Sequence, residues 1–211
     1  MKIGIGVITV GLRPIGNYRL GTDSELYIFH DKDRKGPAYA RNQCLRYFYD
    51  KGFDYIFLFD DDCRPVMDNW EKYFIDQANE AGVNYMAVPE YFKTGFKGML
   101  TDEMALWDGT CGCFTYQTRY CLDTIGGYNN DYFGYGLEDA GRSKRALRAG
   151  MTEHPDHFSF PIRGLAYIYS EDIFGVTAIQ NLTMEEKLSY VHKNQGTYNK
   201  EINGEKLFYD F

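Results

Sequence analysis

Apolar residues come in short runs along this chain, and each run stops at glycine, proline or charge. Residues 2–10, KIGIGVITV, are rich in β-branched side chains and glycine and break at Gly11 and Pro14, which predicts a buried strand and a loop. A second strand is expected over 25–29, followed by the polar His30-Asp31-Lys32-Asp33. After the Gly36-Pro37 break, Ala38, Arg41, Asn42 and Leu45 fall at helical spacings, with Gly52 as the stop. Residues 55–65, YIFLFDDDCRP, run apolar and aromatic side chains straight into Asp60, Asp61 and Asp62, the pattern of a buried parallel strand whose carboxyl end opens at the surface. Asp68 or Asn69 can cap a further helix reaching Ala81 and ended by Gly82, and 85–88 reads as a short strand.

Beyond this point the pattern weakens. Residues 91–108 suit a loop or hairpin, and 109–116, GTCGCFTY, suit a strand whose glycines permit close backbone approach. A short helix over 119–125 closes at Gly126-Gly127, and another starts at Glu138-Asp139 and ends among basic residues, as the helix dipole favours. Residues 151–172 read as loop plus a strand over 165–169, and the tail as a helix over 184–191 followed by a polar loop, His192-Lys193-Asn194-Gln195-Gly196. Strands alternating with helices predict an α/β fold with one mostly parallel sheet flanked by helices. With no repeat or linker, 1–211 is expected to be a single domain.

Composition narrows the function. A net charge of −7 argues against a nucleic-acid footprint, and an acidic protein that holds an anionic phosphate compound needs a cation or local Arg and Lys to do so. The five cysteines lack the paired spacing of a zinc site, and the apolar start is too short to span a membrane, so a reducing, cytoplasmic setting is expected. Three adjacent carboxylates attract a hard divalent cation, which with one or two protein carboxylates typically completes its shell from substrate phosphates; a solvated acidic turn is the plainer alternative.

Three motifs, in order, resemble the nucleotide-sugar glycosyltransferases of the GT-A fold: GPAYARNQCL, FLFDDDCRP and IGGYNNDYFGYGLEDAGRSKRALRAG, spanning about 2–150. The chain also resembles the amino-terminal domain of large DNA virus glycosyltransferases that build capsid-protein glycans, which would put it in host cytoplasm and leaves open whether it is part of a longer multidomain chain. The resemblance implies a nucleotide-binding part over about 1–90 and an acceptor-binding part over about 91–211. It implies a UDP-sugar donor, a glycan or glycoprotein acceptor, and Mn2+ or Mg2+ as cofactor. Asp62 matches the metal-binding aspartate and Asp60 the aspartate that contacts the donor's ribose or sugar, with Asp61 between them; Asp31 or Asp33 matches an acid near base and ribose, with turn capping as the alternative. Arg41 matches a residue over the diphosphate, an ion pair to a nearby aspartate being the alternative. Thr9, Gly11 and Arg13 fall in the loop that cradles the nucleotide.

Asp139 matches the general base of inverting members, and Glu138 its neighbour on sugar hydroxyls; both could instead serve the helix start. A downstream histidine often completes the metal shell in this family, and among His154, His157 and His192 the last, beside Lys193 in its polar stretch, is the first choice, a plain surface histidine being the alternative for each. Trp107 and Asp108 could meet a sugar, and Tyr132, Phe133 and Tyr135 could wall the acceptor site, although core packing explains aromatics too. A retaining transferase shares the fold and the triplet. A metal-dependent phosphohydrolase or a non-catalytic nucleotide-sugar-binding module are the other readings.

Overall fold

A computed structural model describes residues 1–89, 95–171 and 182–211. The chain opens with β1 (Ile3–Thr9), β2 (Ser24–His30), α1 (Pro37–Asp50), β3 (Tyr55–Asp60), β4 (Cys63–Pro65), α2 (Trp70–Ala81) and β5 (Tyr85–Ala87). Then come β6 (Phe96–Met99), β7 (Met104–Trp107), β8 (Phe114–Thr118), α3 (Arg119–Ile125) and α4 (Glu138–Arg148). The chain continues with β9 (Phe158–Pro161), the single turn α5 (Gly164–Tyr167), β10 (Ile168–Ser170) and α6 (Met184–Asn203).

The central sheet has the order β2-β1-β3-β8-β5. β1 pairs in parallel with β2 and β3, while β8 is antiparallel to both β3 and β5, so four strands run one way and β8 runs against them. Both faces of the sheet are covered, which is why β1 and β3 read as continuous apolar runs rather than alternating ones. On β3, Phe57 and Phe59 join the cluster that contains Trp70 and Phe74 of α2, whereas Ile56 and Leu58 join Cys44, Leu45 and Phe48 of α1. Burying each such ring or branched chain contributes about 1.5–3 kcal/mol. Gly6 lets α1 sit close: a Cβ there would come within 2.8 Å of the Cys44 Cβ and 2.7 Å of Leu58.

Several expectations are corrected. The weak stretch 91–108 contains a β6–β7 hairpin from Phe96 onward, extended by β9 into a three-stranded sheet; its first four residues lie outside the described ones. Residues 165–169 were expected as a strand, but the turn α5 occupies most of them and only β10, paired with β4 beyond the aspartate triplet, is extended. Asn69 does stand at the start of α2, yet its side chain makes no capping hydrogen bond. The expected polar loop 192–196 is the interior of α6. That helix starts on a capping box, Thr183 with Glu186, and passes through Gly196, because a single glycine costs only about 1 kcal/mol and two buried anchors fix the turns around it. The anchors are Asn194 and Glu201, the latter 2.9 Å from the buried Arg145 of α4.

Candidate active site

A cavity of about 380 Å³ opens where β1 and β3 end. The parallel pairing sets the carboxyl ends of β1, β2 and β3 side by side, so Thr9, Asp31 and Asp60–Asp62 all line it, with Arg13 of the loop after β1. The opposite wall comes from residues far away in sequence: Arg34, Gly36 and Pro37 before and at the start of α1, Gly134 and Tyr135, and Glu186, Lys187 and Tyr190 of α6. A crevice at the carboxyl ends of parallel strands is the usual ligand site of open α/β sheets.

Each aspartate of the triplet has a different environment. Asp61 accepts from the Thr9 hydroxyl at 2.5 Å and from Arg13 Nη1 at 2.9 Å. Thr9 Oγ1 in turn accepts the Gly11 amide at 2.9 Å, so the first loop is tied to the triplet although Gly11 itself does not line the cavity. Asp62 lies 3.3 Å from Arg13 Nη1 and its side chain is only 5% exposed. Asp60, 32% exposed, faces Arg41 at 2.6 Å. Burial pushes the Asp60 carboxyl up to about 6, Arg41 opposes that rise, and the Asp139 charge adds to it.

Arg41 is the hub of a second cluster beneath the cavity. Its guanidinium is 2% exposed and reaches Asp60, Asp139 at 2.5 Å, Glu138 at 3.2 Å and the Gly112 carbonyl at 3.2 Å. The expectation that Arg41 leans over a diphosphate is corrected: it is buried and occupied by carboxylates, the ion-pair alternative. Glu138 and Asp139 open α4 after Leu137, whose φ of +73° turns the chain sharply into the helix. Glu138 is buried, does not line the cavity, and its carboxyl is raised by burial and by the Asp139 charge against the pull of Arg41. Asp139 keeps 24% exposure and packs on Gly112, where a Cβ would fall 1.9 Å from its carboxyl carbon. The glycine in CGC is thus what leaves room for the Asp139 carboxylate.

The remaining candidates divide. Asp31 lines the cavity but turns both carboxylate oxygens to the Lys35 and Gly36 amides, at 3.0 and 2.8 Å, so it clamps the turn, the alternative left open for it. Asp33 does not line the cavity and is exposed, near Lys35. Tyr135 lines the cavity with Lys187 over its ring at 5.2 Å. Trp107 is a correction: it is 7% exposed, donates Nε1–H to the Phe160 carbonyl at 3.3 Å and belongs to the main core, so it presents no stacking face. Asp108 is exposed and bound to Lys97 and to the Gly95 amide. Tyr132 is buried in the core, while Phe133 is 63% exposed beside Tyr190.

None of the three histidines lines the cavity. His192 is exposed on α6. His154 and His157 stack on each other after Met151, whose carbonyl accepts from Asn84 and Tyr85, level with the start of β3 and so at the far end of the sheet from the triplet. The buried residue of the HKNQG stretch is Asn194. Buried, it accepts from the Phe133 amide at 3.0 Å and donates to the carbonyls of Phe133, Tyr135 and Gly136 at 2.9–3.2 Å, fixing the loop that carries Tyr135. Nothing in the local pattern marked Lys187, Tyr190 or Asn194, because the contacts that place them join residues distant in sequence, 59 apart for Asn194 and Tyr135.

Against known proteins, residues 102–181 match the family model described as the N-terminal domain of galactosyltransferase, a segment that holds Gly112, Glu138 and Asp139. A solved structure of similar fold is mannosyltransferase PcManGT from Pyrobaculum calidifontis in complex with GDP-Man and Mn2+, at TM-score 0.50 and 14% identity, covering 71% of this chain and 52% of that one. The fold is of the GT-A type. A197 from STIV is also similar, at TM-score 0.44 and 18% identity over 59% of this chain and 69% of that one. No curated protein sequence matches. The chain thus spans about half the length of the mannosyltransferase it resembles. No helix among the described residues is long and apolar enough to cross a membrane.

Proposed function

We propose that this domain transfers a sugar from a nucleoside-diphosphate donor, a UDP-sugar first, to a hydroxyl of a glycan or glycoprotein, with inversion and with Asp139 as general base. The observation that carries this reading is the pairing of two acidic sites through one buried arginine: Asp60 on the cavity wall and Asp139 at the head of α4 share Arg41. The donor would occupy the cavity at the ends of β1–β3, and the acceptor would approach from the Gly112 and Asp139 side.

Donor transfer needs the departing diphosphate neutralised. Mn2+ and Mg2+ take oxygen ligands and bind through one or two carboxylates plus substrate phosphates, and Asp60, Asp61 and Asp62 offer that donor set on the cavity wall. Among the described residues no group of three or more His, Cys, Asp or Glu is arranged as a metal cage, so the ion would be held by Asp62 with a neighbour of the triplet and share the phosphates. When bound, such an ion acts as a Lewis acid on the leaving diphosphate.

The chain's own residues supply the rest. Arg41 and the start of α4 hold the Asp139 carboxylate in place, where it would accept the acceptor's proton. Glu138, buried beneath Arg41, holds that guanidinium in position instead of meeting sugar hydroxyls. Tyr135 offers a ring to the donor side of the cleft.

The test is Asp139→Asn. Transfer should be abolished, a loss of at least about a hundredfold for a general base, while metal-dependent UDP binding survives; NMR of the product anomer should show inversion. Loss of UDP binding in the variant would sink the role assignment. A retained anomer would point to the retaining mechanism, and phosphate release without sugar transfer to a phosphohydrolase.

A further inference from the structure

The cavity is lined by five carboxylates, Asp31, Asp60, Asp61, Asp62 and Glu186, and by the cations Arg13, Arg34 and Lys187. Arg13 is engaged by Asp61 and Asp62, and Lys187 lies over the Tyr135 ring. Arg41, the arginine the motif suggested for the diphosphate, is buried among three carboxylates and does not line the cavity. An anionic ligand entering this acidic cleft therefore needs another positive group.

Arg34 fits that need by its placement and by the backbone that holds it. Its side chain is exposed on the cavity wall and makes no hydrogen bond or ion pair among the described residues. Its backbone has φ +53°, a left-handed conformation that non-glycine residues adopt at a cost and that clusters at ligand clamps. That conformation is enforced: the Arg34 amide donates to the Asp31 carbonyl at 3.1 Å, and the Asp31 carboxylate takes the next two amides. On the far side of the turn, Gly36 at φ +107° presses so close to the 134 loop that a Cβ would lie 2.2 Å from the Gly134 carbonyl oxygen. The buried Asp31 and the Gly36–Gly134 contact thus hold one arginine at the cleft mouth.

We propose that Arg34 is a binding residue for the phosphate of the nucleoside-diphosphate donor, and that the Asp31 clamp exists to present it. The inference rests on the donor reading above. A guanidinium suits this task because its planar fork pairs with two phosphate oxygens at once and keeps its charge at any working pH. Asp31 then acts on the ligand through Arg34 rather than by direct contact.

Isothermal titration of the full chain with UDP, GDP, UMP and uridine, each with Mn2+, tests this. Wild type should bind at least one nucleoside diphosphate. In Arg34→Gln, its affinity should fall about tenfold or more, UMP less, and uridine not at all, with a weaker dependence on salt concentration. Arg34→Gly separates the ligand role from folding: relieving the left-handed strain should keep or raise the melting temperature while diphosphate affinity still drops. Unchanged diphosphate affinity in both variants would overturn the assignment of Arg34 and leave the donor reading standing, and equal losses for UDP and uridine would move Arg34 from phosphate to base. A wild type that takes up no nucleoside diphosphate overturns the donor reading and this inference with it.

Discussion

Replacing Arg41 by Met keeps most of the aliphatic stem but strands three carboxylates, so it measures how far the domain depends on this one charge. Removing one partner of a buried ion pair usually costs about 3–5 kcal/mol. Here Glu138 is 5% exposed, whereas Asp60 and Asp139, at 32% and 24%, can recover part of their hydration. The lower end, about 3 kcal/mol near pH 8, is therefore expected, which for a chain of this size means a melting temperature lower by about 6–12 °C.

The pH dependence gives the experiment its sign. Asp60 and Glu138 have carboxyls raised in the folded protein, chiefly by burial, so the folded state binds protons that the unfolded state has released. Stability from these groups is full below the ordinary carboxylate range and is lost as pH rises, through about 6 for Asp60 and higher for Glu138. Arg41 opposes both rises, so its removal pushes them further and steepens the loss. Thermal melts in chelator should show the Arg41→Met deficit shrinking from about 3 kcal/mol at pH 8 to about 1 kcal/mol at pH 5, where the stranded carboxyls take up protons instead. A deficit equal at the two pH values, or a melting point within 2 °C of wild type at pH 8, would refute the hub role of Arg41.

Two further substitutions probe separate parts of the cleft. Asp62→Ala should weaken Mn2+-dependent UDP binding about tenfold or more without changing metal-free UDP binding, whereas His192→Ala, on the exposed side of α6, should leave both titrations unchanged. Asn194→Leu removes the side-chain partners of three carbonyls and one amide; urea unfolding should show a loss of about 1–3 kcal/mol, and donor affinity should fall with it as the Tyr135 loop loosens.

What was legible in the sequence is what local pattern controls. β1 and β3 announce themselves as unbroken apolar runs because both of their faces are covered, and α1, α3 and the start of α4 carry their own punctuation in Pro37, Gly126 and Glu138-Asp139. The aspartate triplet follows from the same logic, since the strand that delivers it must end at the surface. What escaped was fixed by partners distant in sequence. Trp107 reads like a sugar platform in isolation and becomes core only because β9 folds back on β7 and supplies the Phe160 carbonyl. His192 sits in a stretch polar enough for a loop, but helix α6 is fastened at Asn194 and Glu201, and the helical phase that turns Asn194 inward leaves His192 outside.

Arg41 shows why motif position and side-chain role separate. The GPAYAR segment puts this arginine in the first turns of α1, next to the strand ends where a diphosphate would lie, and on local grounds it could reach either way. The outcome is decided about 97 residues later by Glu138 and Asp139, whose helix start arrives beneath α1 and offers two carboxylates to a guanidinium that also meets Asp60. Once drawn down, Arg41 cannot also serve the cavity: its two terminal nitrogens make contacts to Glu138, Asp139, Asp60 and the Gly112 carbonyl. A ligand that removed charge from Asp60, whether by metal coordination or by protonation, would leave Arg41 bound more tightly to Asp139 and Glu138. Under the proposed mechanism, filling the donor site and holding Asp139 in place would thereby be linked through one side chain, Arg41.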